Sequence, residues 1–251
     1  MTKSVSNCST LLRFYQQNCT SCSSSLRRNY SQKVKSKNPD VARFVRRQLD
    51  DEYVRYARMH DYRARSAFKL LQLNEKLKII SEGDTVIDVG AAPGSWCQVL
   101  SEIIFPDKLK PGKRQGYILG VDIQSSNIAS KKADITRPAT HAELRRRLNG
   151  RTLDVVLSDM APSPTGDHYT DHYRIIALCR CLLGLITSEN APIPLKENGN
   201  FLCKIWDGVY EKEFTDELKK HFRRVRGIKP DASRNESSEK YLYAHGFIKR
   251  L

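Results

Sequence analysis

The chain has 251 residues, of which 39% are hydrophobic, and a formal net charge of +15 at pH 7. That is room for one large domain, or one domain with an extension, and enough apolar material for a single core. No run approaches the roughly 18 apolar residues of a bilayer span, so a soluble protein is expected, and the charge points to a polyanionic partner, most simply nucleic acid.

The N-terminus is the most biased part. Residues 1–39 carry seven Lys/Arg and no Asp or Glu, whereas residues 40–251 hold 36 Lys/Arg against 28 Asp/Glu. Residues 1–33 are also rich in Ser, Thr and Asn, without the continuous apolar stretch of a secretory signal. This is the composition of a mitochondrial transit peptide, and "LRRNYSQK" places arginines just before Tyr30–Ser31, where cleavage is expected. An ordinary basic tail has the same composition. Cys8, Cys19 and Cys22 fall in this segment and lack a second pair for a zinc site. Cys97, Cys179, Cys181 and Cys203 read as small buried hydrophobes, so neither disulfides nor a metal are expected.

From Asp40 to about Lys78 apolar residues recur at three- and four-residue spacing, which predicts helix, broken near Asp61. Arginines fill the intervening positions: Arg43, Arg46 and Arg47, then Arg55 and Arg58, then Arg63 and Arg65. They are candidates for phosphate contacts, set against the plainer possibility of a solvated helix face. Six short apolar or β-branched runs follow: "DTVIDVG", "GYILGVDI", "LDVVLSDM", "GNFLCKIW", "RRVRGIK" and "KYLYAHGF". Helical patterns at Ser95–Ile104, Ala139–Leu148, Asp171–Ser188 and Glu211–Phe222 separate several of them. Strands alternating with helices imply a mainly parallel α/β sheet covered on both faces. The last two runs leave no room for a helix and are expected to form an antiparallel hairpin through Pro230–Glu239.

Ligands of such sheets bind beyond the carboxyl ends of the strands, and Asp88, Asp122 and Asp159 all lie at or near such ends. "VIDVGAAPGSW" has the form of a strand, a tight turn and a helix start. Its turn is not the G-x-G-x-x-G of a dinucleotide site, because Ala92 takes the third position and Pro93 offers no N–H to a phosphate. Asp122 is placed to accept ribose hydroxyls, and Asp134 lies within reach of an adenine amino group. A nucleoside without phosphate fits these parts best. S-adenosylmethionine is one, with a sulfonium that favours nearby carboxylates. NAD and a purely structural loop stay open at this point.

The segments "YRARSAFKL" (62–70), "DVGAAPGSW" (88–96), "GVDI" (120–123), "KADI" (132–135), "LSDMAP" (157–162), "FLCKIW" (201–206) and "KPDASRNESSEKYLYAHGF" (229–247) stand in an order that resembles the RrmJ/FtsJ family of ribose 2′-O-methyltransferases, its mitochondrial members in particular. The resemblance implies a Rossmann-like S-adenosylmethionine-dependent methyltransferase fold of seven strands, mostly parallel, with an antiparallel last strand. With the composition of the N-terminus, it sets the expected organisation as a presequence at 1–33, a basic helical extension at 34–60 and a catalytic domain at 61–251. It also implies a catalytic tetrad of Lys69, Asp159, Lys204 and Glu239, and a cofactor site at Gly90, Pro93, Gly94, Ser95, Trp96, Asp122, Asp134, Ile135 and Asp159. Many relatives have a second glycine at Ser95, a residue small enough to keep the turn.

A ribose hydroxyl is a weak acid and needs a base as it attacks; lysine can serve when burial and a neighbouring cation favour its neutral form. Lys204 is the only charge in "NFLCKIW", which marks it as the general base, with Asp159 to orient it. Lys69 on a helix and Glu239 in a polar loop read from the residues alone as surface charges. Met160 and Ala161 follow Asp159 where base-modifying enzymes often carry a stacking ring, which favours ribose over base. The expected substrate is mitochondrial large-subunit ribosomal RNA or the pre-ribosome, a uridine near the peptidyl-transferase centre, reached by a monomer in the mitochondrial matrix. The alternatives are a transfer RNA substrate and an RNA-binding assembly factor that does not need catalysis.

Overall fold

The computed structural model describes residues 39, 47, 50–106, 114–124 and 131–249. The expected presequence with its three cysteines, Arg43 and Arg46 lie outside the described residues. The chain divides into two compact units, Met1–Arg55 and Tyr56–Leu251, and the sheet and the site belong to the second.

Helix α1 (Glu52–Met59) and helix α2 (Ser66–Leu77) fall on either side of the expected break at Asp61, whose φ of 56° no helix interior accepts. Strand β1 (Thr85–Val89) is buried at all five positions. Helix α3 (Ser95–Ile104) starts from Gly94, whose φ of 101° suits glycine. Strand β2 (Tyr117–Asp122) and the two-residue strand β3 (Lys131–Lys132) follow. Helix α4 (Pro138–Leu148) opens on a proline in its first turn, where no N–H is missed. Strand β4 (Leu153–Ser158) leads to helix α5 (His168–Thr187), whose N-cap Asp167 accepts from the Thr170 amide at 2.7 Å. Strand β5 (Leu195–Trp206), helix α6 (Glu211–Lys219), strand β6 (Phe222–Ile228) and strand β7 (Glu239–Phe247) complete the unit. Helix α6 stops short of the predicted Phe222 because that ring is needed in the sheet, packed on Phe201 and Phe247 at centroid distances of 6.2 and 5.4 Å.

The seven strands form one sheet in the order β3-β2-β1-β4-β5-β7-β6. All are parallel except β7, which runs antiparallel to both its neighbours. Six of these strands follow the apolar runs of the sequence. The seventh, β3, is too short to carry any periodicity. One face of the sheet packs Ile87, Val89, Val156, Phe201 and Cys203 against Ile175, Ile176, Cys179 and Leu182 of α5. Among the described residues no helix is long and apolar enough to cross a membrane. The strand order reverses on either side of β1, so a crevice is expected where β1 and β4 end.

Candidate active site

A cleft of about 630 Å³ opens at that reversal, lined by Gly90 and Ala92 after β1, Asp122 at the end of β2, Asp134–Thr136 after β3, Asp159–Ser163 after β4, Arg174 and Leu178 of α5, and Lys204 of β5. Gly90 is required here twice over: its φ is +86°, and a Cβ would stand 2.7 Å from the Met160 amide nitrogen. The Asp159 amide donates to the Val89 carbonyl at 3.1 Å, which fixes Asp159 beside the glycine turn. Ala92 and Gln124 donate their amides to the two oxygens of Asp122 at 2.9 and 2.7 Å. These bonds set the carboxylate's orientation and leave lone pairs for a ligand. Asp134 is held by the Thr136 amide and hydroxyl, at 2.9 and 2.7 Å, and these bonds keep its carboxyl below the usual range. Ile135 is buried behind it.

Lys204 is 7% exposed. Its ammonium lies 3.0 Å from Asp159 Oδ1 and also donates to the Asp159 carbonyl. A buried lysine needs such partners, because taking an ammonium out of water is costly. Tyr241, opposite Lys204 in the β5–β7 register, donates its hydroxyl to the same Oδ1 at 2.8 Å. That phenol is fully buried, and burial pushes its pKa well above its ordinary value. Sequence reasoning missed Tyr241, although its place two residues after Glu239 on a strand puts the two side chains on one face. Glu239 opens β7 and lies 2.6 Å from Lys69 Nζ of α2, with the Ser233 hydroxyl donating to the same oxygen at 2.8 Å. The four tetrad residues therefore form two ion pairs: Lys204–Asp159, which lines the cleft and is bonded by Tyr241, and Lys69–Glu239, which does not line it and whose Glu239 stands two residues before Tyr241 on β7.

The remaining predicted residues divide by place. Gly90, Asp122, Asp134, Ile135 and Asp159 line the cleft; Pro93, Gly94, Ser95 and Trp96 do not. Trp96 is 2% exposed, donates to the Ser66 carbonyl at 2.8 Å and packs on Tyr241 at 5.9 Å, so it braces the tyrosine from behind. The Ser95 hydroxyl meets that of Ser66 at 2.7 Å. Arg63 is exposed and reaches the Pro93 carbonyl at 3.1 Å, beside the glycine turn. Arg65 donates to the Ala232 carbonyl in the β6–β7 connection, and burial, then the Arg234 charge, lower its pKa. Arg47, Arg55 and Arg58 are exposed. Arg174, which the sequence did not single out, lines the cleft and donates to the Ser163 carbonyl at 2.9 Å.

Asp88 lies beneath this site, fully buried, with Cys97 Sγ 3.4 Å from one oxygen and no partner on the other. Burial, reinforced by the nearby Asp159 and Asp122 charges, pushes its pKa up to about 7.

The chain belongs to the FtsJ-like methyltransferase family, which matches residues 62–247. It is 45% identical over 222 residues, 86% of this chain and 99% of the relative, to a Caenorhabditis elegans protein named rRNA methyltransferase 2, mitochondrial. It is 40% identical over 209 residues, 82% of this chain and 85% of the relative, to the ribosomal RNA large subunit methyltransferase E of Roseobacter denitrificans. A solved structure described as a Plasmodium falciparum ribosomal RNA methyltransferase superposes with a TM-score of 0.63 at 25% identity, covering 75% of this chain and all of the other.

Proposed function

We propose that this chain transfers a methyl group from S-adenosylmethionine to a ribose 2′-hydroxyl of mitochondrial large-subunit ribosomal RNA. The observation that carries the reading is the buried Lys204–Asp159 pair, standing on a cleft whose wall also bears Asp122 and Asp134. The names of the relatives support the ribosomal substrate, and that of the Caenorhabditis elegans protein supports the mitochondrial location. A uridine near the peptidyl-transferase centre, a role in ribosome assembly and a monomer working in the matrix belong to the same proposal. So does the division into a presequence at 1–33, a basic extension at 34–60 and a catalytic domain at 61–251.

The cleft volume lies within the roughly 300–1,000 Å³ usual for small-molecule sites, and its carboxylates suit a cationic nucleoside. S-adenosylmethionine supplies, when bound there, a methyl group made electrophilic by its sulfonium. Asp122 takes the ribose hydroxyls of the cofactor with the lone pairs its two backbone bonds leave free, and Asp134 takes the adenine amino group. Lys204 acts as base from its neutral amine form: once the ammonium has released a proton to solvent, Nζ receives the proton of the RNA 2′-hydroxyl as that oxygen attacks. Asp159 holds the same nitrogen through its carboxylate and carbonyl and so fixes the line along which it accepts. Tyr241 fixes Asp159 in turn, and the Lys69–Glu239 pair ties α2 to the start of β7. Attack on a sulfonium methyl disperses charge rather than creating it, so alignment and base placement can carry most of the acceleration.

The test is a map of 2′-O-methylation across mitochondrial ribosomal RNA in cells carrying wild-type protein or Lys204→Ala. One large-subunit methyl group should disappear in the variant. An unchanged map removes the ribosomal assignment.

A further inference from the structure

Helix α5 carries Tyr169 and Tyr173 four residues apart, hence on one face, and they are 57% and 53% exposed. Behind them stands Tyr210, with ring centroids 5.7 and 5.9 Å away, and the hydroxyls of Tyr169 and Tyr210 are hydrogen-bonded. Tyr210 in turn stacks on His172 at 5.7 Å with 9° between the planes. The imidazole is locked: Nε2 accepts the Tyr210 amide at 3.0 Å, so Nδ1 carries the proton and donates to the Trp206 carbonyl at 3.0 Å. Burial, the largest influence on this ring, holds its pKa below the ordinary value, which keeps it in that neutral tautomer. Val209, 71% exposed, extends the apolar surface. Rings held this firmly and left open to water are not needed for the core, and a contiguous exposed apolar patch marks a contact surface.

The position of the patch says what it contacts. Trp206, which anchors His172, lies two residues beyond Lys204 and pairs with Glu239 in the strand register. Arg174, adjacent to Tyr173, lines the cleft. Of the acids nearby, Asp207 and Glu211 pair with Lys240 at 2.5 and 2.6 Å and Glu213 with Arg180 at 2.8 Å, while Asp167 and Asp171, at the start of the helix, accept from the Thr170, Thr165 and Gly166 amides and the Thr165 hydroxyl. Three of the acids near the rings are thus neutralised by Lys240 and Arg180, Arg174 adds a cation beside Tyr173, and the net charge of +15 on the chain draws a phosphate backbone towards it. Resting on the ribose-methylation reading above, we propose that Tyr169 and Tyr173 form a stacking platform for unpaired bases flanking the nucleotide whose ribose reacts. Aromatic rings accept any base on their faces, but only when the base is free of a duplex, whose A-form grooves hide it.

The experiment compares the wild-type protein with the Tyr169→Ala/Tyr173→Ala and Tyr169→Phe/Tyr173→Phe variants. Each binds a fluorescein-labelled single-stranded oligouridylate, and separately a duplex RNA of the same length, at one fixed salt concentration. The alanine pair should weaken single-strand binding by about tenfold or more, from the usual worth of a base on an aromatic ring. The phenylalanine pair should bind as wild type, and duplex binding should not change. Both rings are more than half exposed, so thermal melting should show every variant folded. Equal binding by the alanine pair, an equal loss on duplex, or no single-strand binding by wild type would overturn the platform. Lys204→Ala separates this from the catalytic reading, because it should lose methyl transfer yet keep oligouridylate affinity.

Discussion

Lys204 meets Asp159 and Lys69 meets Glu239, but the two pairs are assembled differently. The first joins two adjacent parallel strands: Lys204 lies within β5, and Asp159 is the residue after β4, so sheet register alone brings them close. The second joins a helix to a hairpin, α2 to the start of β7, across most of the chain. Asp88 adds a third case, a buried carboxyl one strand over with no cation at all, which stays close to neutral by a raised pKa instead. A charge fixed by register is inexpensive to place and can be aimed. A charge fixed by docking also holds the docked pieces together. A buried carboxyl with no cation beside it has its pKa raised, here to about 7, and holds its proton only below that pH.

These differences can be broken one at a time. Asp159→Asn keeps the shape of the first pair but removes the charge that orients Lys204, and kcat for methyl transfer should fall on the order of 10²-fold. A fall of less than about threefold in single-turnover kinetics would mean that Lys204 is oriented by something else.

Asp88 tests the third case through pH. Its folded pKa, about 7, lies above the unfolded carboxylate value near 4, so the native state binds the extra proton between them. The stability it contributes is fully present below about pH 4 and is lost progressively as pH rises from there through about 7, to the extent of roughly 4 kcal/mol. Asp88→Asn mimics the protonated form. Its advantage over wild type in thermal melting should grow from pH 5 to pH 8, and parallel curves would show that Asp88 is not held neutral.

For the second pair, Lys69→Met and Glu239→Gln should each cost about 1–3 kcal/mol of stability, since each leaves a partly buried charge without its opposite charge. The double variant should cost less than the sum. Additive losses in denaturant unfolding would show that the pair does not hold α2 to the hairpin. The smallest effect is expected from Tyr241→Phe, which removes one hydrogen bond to Asp159 while keeping the ring against Trp96. It should cost about 1 kcal/mol, read as a fewfold loss in kcat.

How much could be read beforehand follows the same division. Lys204 stood out because a lone charge inside "NFLCKIW" conflicts with an otherwise apolar strand. Lys69 and Glu239 looked like ordinary surface charges, and only the family resemblance singled them out. Trp96 sits behind Tyr241 rather than on the cleft because the first turn of α3 points it at α2.

The sequence by itself determined the alternation of strands and helices, the hairpin at the end of the chain, and the residues at the strand ends. Period-two and period-3.6 patterns and turn residues act over short distances, so they survive without knowledge of the fold. The tertiary structure alone decided that β7 enters between β5 and β6, so that Tyr241 faces Lys204 and Glu239 reaches Lys69. Strand order and helix docking minimise exposed apolar surface summed over the whole sheet, and no local stretch of residues carries that sum.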